Sequence, residues 1–164
     1  MSEVKKASWR SHFRDETMQL NLEQMNLGQM NLGQWAERQA LRLVEQQGYV
    51  QVQQNYHSRY GEIDLIVTRG QELVFIEVKA RSNTRYAQAV ESISIHKQRK
   101  MMTTALHFLN EQSHFQNYYC RFDAICFDFY QHFAKTLQQD FSKYPYHQQW
   151  IENAFTFDQE LINL

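Results

Sequence analysis

The stretch that decides the fold is GEIDLIVTRGQELVFIEVKAR, which runs from Gly61 to Arg81. Its two halves are rich in Ile, Leu, Val and Phe, as is typical of buried strands, and they flank the turn signal Arg69-Gly70-Gln71-Glu72. Glycine at the first central position of a two-residue loop favours a type II′ turn. The stretch therefore predicts a β-hairpin in which Arg69 pairs with Glu72.

That turn determines which residues face each other across the predicted hairpin. Asp64 is expected opposite Glu77, and Glu62 opposite Lys79. Because side chains alternate along a strand, the four charged residues share one face. The charged face also carries Ile66, Leu73 and Phe75, whereas the opposite, apolar face carries Ile63, Leu65, Val67, Val74, Ile76 and Val78.

Two carboxylates opposed in this way need a neutralising partner. Directly opposed side chains have Cβ atoms about 5 Å apart, so Asp64 and Glu77 repel each other unless a proton, the Lys79 ammonium or a divalent cation lies between them. Carboxylate oxygens suit Mg²⁺ or Mn²⁺. The plainer alternative is a cross-strand ion pair of Glu62 with Lys79 beside a solvated edge. The opposed acids on otherwise apolar strands favour a metal or catalytic site, with Glu62 supporting Lys79.

Helical and strand patterns surround the hairpin. Residues 34–47 carry an apolar face at helical spacing, and residues 49–56 alternate weakly, as an edge strand does. Residues 94–110 predict a second helix, residues 121–129 another buried strand and residues 150–155 a short closing element. The order predicts an α/β (α+β) fold, in which a single domain has one mixed sheet flanked by helices.

The two ends of the chain differ from this domain. Residues 1–32 are polar and include most of the pentapeptide repeat LNLEQ, MNLGQ, MNLGQ, which is too short to form a solenoid. We predict a loosely ordered N-terminal extension there, with a partner-binding arm as the alternative. The folded domain is expected over residues 33–157 and a C-terminal tail over residues 158–164.

Composition limits the partners of the protein. The net charge is −1, yet six Lys or Arg residues lie between Lys79 and Lys100 against one acid, Glu91, which predicts a local basic face. No apolar run is long enough to span a membrane, and the N-terminus lacks the apolar core of a signal peptide. We therefore expect a cytoplasmic protein with no membrane contact.

One residue from each predicted helix points partly toward the charged corner of the hairpin. Glu37 lies at the margin of the first helix's apolar stripe, and Lys97 shares a face with Met101 and Ala105 on the second. Taken alone, Glu37 is interpreted as an acid that favours a helix N-terminus. Taken alone, Lys97 is interpreted as a lysine whose stem is buried and whose amine reaches water.

These residues together resemble the signature of the PD-(D/E)xK nuclease superfamily. The matching features are Glu37, the GEID that ends at Asp64, and the EVK from Glu77 to Lys79. More closely, the motifs GQWAERQA, GEIDLIV, LVFIEVKAR, AVESI and RFDAI are similar to those of the bacterial YraN-type family, which is related to archaeal Holliday junction resolvases. The resemblance runs from about Gly33 to Phe155.

The resemblance implies a fold, an activity and residue roles. The fold is restriction-endonuclease-like, and the activity is Mg²⁺- or Mn²⁺-dependent hydrolysis of phosphodiester bonds in branched or structured DNA, with a homodimer as the form that cuts two strands. The implied catalytic residues are Glu37, Asp64, Glu77 and Lys79; the metal ligands are Asp64, Glu77, the Val78 carbonyl and Glu37; the DNA contacts are Arg81, Arg85, Lys97, Arg99 and Lys100. The alternative is a non-catalytic nucleic-acid-binding protein that retains the fold.

Overall fold

One mixed sheet forms the centre of the computed structural model, which describes residues 28–82 and 93–162. The strands lie side by side in sequence order: β1 (Val50–Ser58), β2 (Gly61–Arg69), β3 (Glu72–Ser82), β4 (Tyr119–Phe129) and β5 (Tyr146–Phe155). The helices are α1 (Leu32–Gln46), α2 (Ile95–Glu111) and the short α3 (Gln159–Ile162). Neighbouring strands are antiparallel except β3 and β4, which are parallel. The predicted single domain with a mixed, helix-flanked sheet is confirmed.

The β2–β3 hairpin has the predicted register beside its turn. Arg69 pairs with Glu72, and the same register continues to the pair of Leu65 with Ile76. Gly70 has a φ of +58°, whereas Gln71 is not among the residues with positive φ. That combination is what a type II′ turn requires, so the turn prediction is confirmed.

The hairpin pairing ends before it reaches the charged residues. In the described strands, β2 and β3 pair no further than Leu65 and Ile76. The predicted direct opposition of Asp64 to Glu77 is therefore wrong, as is that of Glu62 to Lys79. The two strands separate here because each follows its other neighbour: β2 stays with β1, and β3 stays with β4.

Side-chain alternation also breaks at Asp64. Ile63 packs in the same apolar cluster as Ile66, whereas Leu65 packs in the cluster on the other face of the sheet. The prediction that Ile63 shares a face with Leu65 is therefore wrong. The cause lies in β1, where Asn55 has a left-handed φ of 48° and the regular pairing with β2 skips Asn55 and Asp64.

Two apolar clusters hold the sheet between the long helices. On the α1 face, the fully buried Trp35 makes edge-on contacts with the rings of Phe127, Phe129 and Tyr146. On the α2 face, the predicted apolar stripe packs against β3 and β4 through the residues Met101, Met102, Ala105, Phe108, Phe75 and Phe122. The central strand β3 is thus clamped from both sides, which fixes the position of the residues at its end.

The third pentapeptide repeat turns out to start helix α1. Asn31 accepts a hydrogen bond from the Gln34 N–H at 3.0 Å, and the Gln34 side chain accepts one from the Asn31 N–H at 3.1 Å. This reciprocal pair is a capping box, which satisfies two N–H groups that the helix leaves free. The earlier repeat units lie outside the described residues, apart from Gly28 and Gln29.

The C-terminal segment beyond residue 157 adds to the fold. Helix α3 lies within the tail predicted over residues 158–164, and its Leu161 and Ile162 pack against the α2-side cluster. No helix in the described parts of the chain is long and apolar enough to cross a membrane.

Candidate active site

The candidate site lies where β2 and β3 separate. Beyond Ile76, the backbone groups of β3 that face β2 have no partner strand there. The Val78 N–H is satisfied by a side chain instead, since it donates a hydrogen bond to Asp64 Oδ2 at 2.7 Å. Because an unpaired, partly buried backbone N–H is costly, this bond anchors the Asp64 carboxylate at the fork between the strands.

The Val78 carbonyl faces the same gap. Within a strand, the N–H and C=O of one residue point to the same neighbour, as the paired bonds of an antiparallel ladder show. The side chain of Val78 packs into the α1-side cluster, so the residue is held by its neighbours on that face. The fork therefore offers one backbone oxygen next to the Asp64 carboxylate.

Glu77 supplies the second carboxylate, and two lysines bind it. It is buried, with 5% of its surface exposed. Lys97 Nζ lies 2.9 Å from Glu77 Oε2, and Lys79 Nζ lies 3.4 Å from Oε1. The structure thus brings Glu77, Lys79 and Lys97 together from β3 and α2, which are separated by the connection after Ser82.

The electrostatic environment of Asp64 disfavours its charged form. Burial raises the pKa of Asp64 from 3.8 to about 7, and the negative charge of Glu77 adds to the rise. The hydrogen bond from Val78 and the charge of Lys97 act in the opposite direction, while Glu37 raises the pKa further. Two lysines and two carboxylates meet at this corner, and the burial of Asp64 is the main cause that disfavours its ionised form.

Lys97 remains charged in this environment. Burial lowers the pKa of Lys97, but the hydrogen bond and charge of Glu77, with the charges of Asp64 and Glu62, raise the pKa more strongly. The net effect is a raised pKa, so Lys97 is an ammonium at neutral pH.

Glu37 lies beside the cluster of Asp64, Glu77 and the two lysines rather than within it. Its Oε2 accepts a hydrogen bond from Asn55 Nδ2 at 3.3 Å, and its charge contributes to the raised pKa of Asp64. Within residues 28–82 and 93–162, no three His, Cys, Asp or Glu side chains converge as a metal site. The structure therefore does not assemble Glu37, Asp64 and Glu77 into a three-carboxylate ligand set.

Glu62 has a partner other than the predicted Lys79. Its Oε2 lies 3.4 Å from His57 Nδ1, across the β1–β2 pairing that places these two residues opposite each other. The prediction that Glu62 supports Lys79 is wrong, because β2 has already turned away from β3 at this point. Both side chains of the His57–Glu62 pair are more than half exposed, so the contact contributes little.

The remaining groups suit a hard divalent cation. Magnesium is usually held by one or two carboxylates, with water and substrate phosphate oxygens completing its shell. Asp64, Glu77 and the Val78 carbonyl provide two carboxylates and one neutral oxygen at the fork. These donors fit Mg²⁺ or Mn²⁺ without a third protein carboxylate.

The basic residues predicted to contact DNA have different environments. Arg81 is held inside the protein by Asp128, with Nε 3.0 Å from Oδ1, which the sequence did not reveal. Arg85 lies outside the described residues. Arg99 is half-buried on α2, and Lys100 is exposed there, with its stem beside Gly61 at the start of β2.

Asp123, for which the sequence offered no role, lies in a separate buried network. Arg121 binds it with Nε 2.9 Å from Oδ1, and Trp150 Nε1 and the Asn153 N–H donate to it at 2.8 Å and 3.0 Å. Burial lowers the pKa of Arg121, but the hydrogen bonds and charges of Asp123 and Tyr49 together raise it by more. Every oxygen of Asp123 has a partner, which indicates a structural role on the α1 face.

The candidate site lies within the part of the chain that a known family model matches. The model of "Uncharacterised protein family UPF0102" matches residues 36–127. A UPF0102 protein of Acinetobacter baumannii (strain AYE) is 59% identical over 124 residues, covering 76% of this chain and 93% of the relative. A UPF0102 protein of Acinetobacter baylyi is 57% identical over 122 residues (74% and 87%), and one of Pseudomonas fluorescens is 39% identical over 106 residues (65% and 88%).

Proposed function

The chain belongs to the UPF0102 (YraN) family of the PD-(D/E)xK nuclease superfamily, and we propose that it is a Mg²⁺-dependent endonuclease that cleaves branched or otherwise structured DNA. One observation carries the proposal. At the fork between β2 and β3, the Asp64 carboxylate, the Glu77 carboxylate and the Val78 backbone lie together, with Lys79 beside them. Mn²⁺ would fit the same donors.

The residues of the fork match the requirements of phosphodiester hydrolysis. A divalent cation held by Asp64, Glu77 and the Val78 carbonyl would neutralise charge on the phosphoryl oxygens. Lys79, next to Glu77, would donate a hydrogen bond to the attacking water or to a developing phosphoryl charge. Glu77 keeps the flexible Lys79 side chain in place, and Glu37 would position water at the margin of the site.

Positive charge next to the fork supports DNA as the substrate. Lys97, Arg99 and Lys100 come from the first two turns of α2, and Arg85 precedes that helix in the sequence. Arg81 is paired with Asp128, so it would contribute less to DNA binding than the three residues of α2. Phosphate contacts of this kind would make binding strongly dependent on salt. A homodimer and a cytoplasmic location complete the proposal, since a resolvase cuts two strands of chromosomal DNA symmetrically.

A cleavage screen tests this proposal. Purified protein would be incubated with linear duplex, flap and four-way-junction DNA, with Mg²⁺ or with EDTA. We expect cleavage of a branched substrate in Mg²⁺ alone. Asp64→Ala and Glu77→Ala should abolish it, whereas Glu45→Ala, which removes an exposed acid from α1, should retain it. Full activity in the Asp64→Ala or Glu77→Ala protein would refute the assignment of the site.

A non-catalytic DNA-binding protein is the second candidate. The observation that favours it is that, among residues 28–82 and 93–162, only two carboxylates converge at the fork, with Glu37 outside the group. This candidate predicts junction binding in a gel-shift assay with no cleavage in Mg²⁺ or Mn²⁺. Cleavage that depends on Glu77 would exclude it.

A further inference from the structure

Among the described residues, Lys97 is the cation closest to the Glu77 carboxylate of the fork. Its Nζ is 2.9 Å from Glu77 Oε2, whereas Lys79 is 3.4 Å from the other oxygen of the same carboxylate. The Lys97 side chain is only 24% exposed and that of Glu77 only 7% exposed. An ion pair so withdrawn from solvent is a fixed part of the site rather than a transient surface contact.

The position of Lys97 in its helix is locally unfavourable. The residue lies in the first turn of α2, where Ser94 Oγ accepts a hydrogen bond from the Lys97 N–H at 3.2 Å. The N-terminal end of a helix carries partial positive charge and favours acids, yet this first turn contains no acidic residue. The helix dipole therefore does not favour a lysine here, whereas the contact with Glu77 gives its charge a partner.

The same ammonium competes with any metal for the same carboxylate. Lys97 occupies Glu77 Oε2, and its charge also stabilises the ionised form of Asp64. A divalent cation bound by Asp64 and Glu77 would repel an ammonium only 2.9 Å from one of its ligands. Repulsion between the two cations and their competition for the same carboxylate charge weaken the contact of Lys97 with Glu77, so binding of the metal favours release of the lysine.

We propose that Lys97 is a positioning residue that holds Glu77 in place before metal binds, and that metal binding displaces its ammonium toward the phosphate of the DNA. This inference rests on the proposed metal-dependent function. Metal binding at Glu77 and phosphate binding by Lys97 are then coupled, because the ammonium released from Glu77 is the group that contacts the phosphate of the DNA. Lys79, which contacts the other oxygen more loosely, remains beside the attacking water.

Mn²⁺ binding in the absence of DNA tests this exchange of the ammonium for a metal ion at Glu77. Free Mn²⁺ would be followed by electron paramagnetic resonance during titration of wild type, Lys97→Met and Lys100→Met. The Lys100→Met control removes the same charge from an exposed position one turn further along α2. We expect Lys97→Met to bind Mn²⁺ roughly tenfold more tightly than wild type and Lys100→Met to stay within about twofold. Binding by Lys97→Met that is no tighter than that of the control, or no binding by any of the three, would overturn the inference.

Thermal unfolding gives a second, independent readout. Without metal, Lys97→Met should melt below wild type because the buried Glu77 has lost its nearer counter-ion, and saturating Mn²⁺ should remove that difference. Lys97→Arg, which retains the charge, should resemble wild type under both conditions. A difference that is the same with and without Mn²⁺ would show a merely structural role. If Mn²⁺ binds as described but the wild type cuts no DNA, the nuclease proposal fails while the exchange stands.

Discussion

Replacing Asp64 with Asn should stabilise the metal-free protein. The carboxyl group has a pKa of about 7 in the folded protein against 3.8 as its ordinary value, so the folded state binds an extra proton between these two pH values. Stability contributed by this proton is fully present below pH 3.8 and is lost as the pH rises through about 7. The amide of Asn carries no charge at any of these pH values, and its oxygen can still accept the hydrogen bond from Val78.

The size of the gain follows from the pKa difference. Each unit of pKa difference corresponds to about 1.36 kcal/mol. Relative to low pH, the Asp64 carboxyl group therefore lowers the free energy of unfolding by at most about 4 kcal/mol at pH 8 and about 2 kcal/mol at pH 5. Solvent reaches part of the Asp64 side chain and screens its charge, so we expect about half of each value. Asp64→Asn should thus raise the free energy of unfolding above that of wild type by about 2 kcal/mol at pH 8 and about 1 kcal/mol at pH 5.

Urea unfolding followed by tryptophan fluorescence, in EDTA at both pH values, measures this effect. Glu62→Gln is the matched control, since it neutralises an exposed acid two residues away and should change stability little. Adding Mg²⁺ should stabilise wild type and leave Asp64→Asn unchanged. A variant that is no more stable than wild type at pH 8 would refute the electrostatic description of the fork.

Three further predictions concern the buried network around Asp123, the start of helix α1 and the basic residue Lys100 on helix α2. Asp123→Ala should lower the free energy of unfolding by about 3–5 kcal/mol in a urea titration, because the buried Arg121 loses its nearest carboxylate while Trp150 Nε1 and the Asn153 N–H lose their acceptor. Asn31→Ala should cost about 1 kcal/mol in the same assay through loss of the capping box, and an unchanged midpoint would contradict that role. Lys100→Ala should reduce the slope of log binding constant against log salt for junction DNA by about one, and an unaltered slope would remove Lys100 from the interface.

Local sequence patterns were sufficient to predict most of the fold. The hairpin register followed from Gly70, because a two-residue loop with a positive φ at its first position fixes which residues pair. The apolar stripe of α2 followed from its helical spacing. The start of α1 had a signal in the sequence as well, since Asn31 and Gln34 have the spacing of a capping box, but the pentapeptide repeat obscured it.

The geometry of the fork could not be read from the hairpin alone. The register that is correct at the turn fails at Asp64, because Asn55 on the neighbouring strand adopts a left-handed conformation and β2 follows β1 away from β3. No pattern within residues 61–81 contains that information. The contact of Lys97 with Glu77 likewise depends on how α2 packs across the sheet, which spacing along the helix does not specify.

The rate of junction cleavage in Mg²⁺ by wild type and by Glu77→Gln tests the central claim most directly. Gln keeps the size of the Glu77 side chain but removes the charge that holds a cation and both lysines. We expect Mg²⁺-dependent cleavage by wild type and a loss of at least about 100-fold in the variant, as when a group that stabilises transition-state charge is removed. Equal rates for the two proteins, or wild-type cleavage that persists in EDTA, would contradict this expectation.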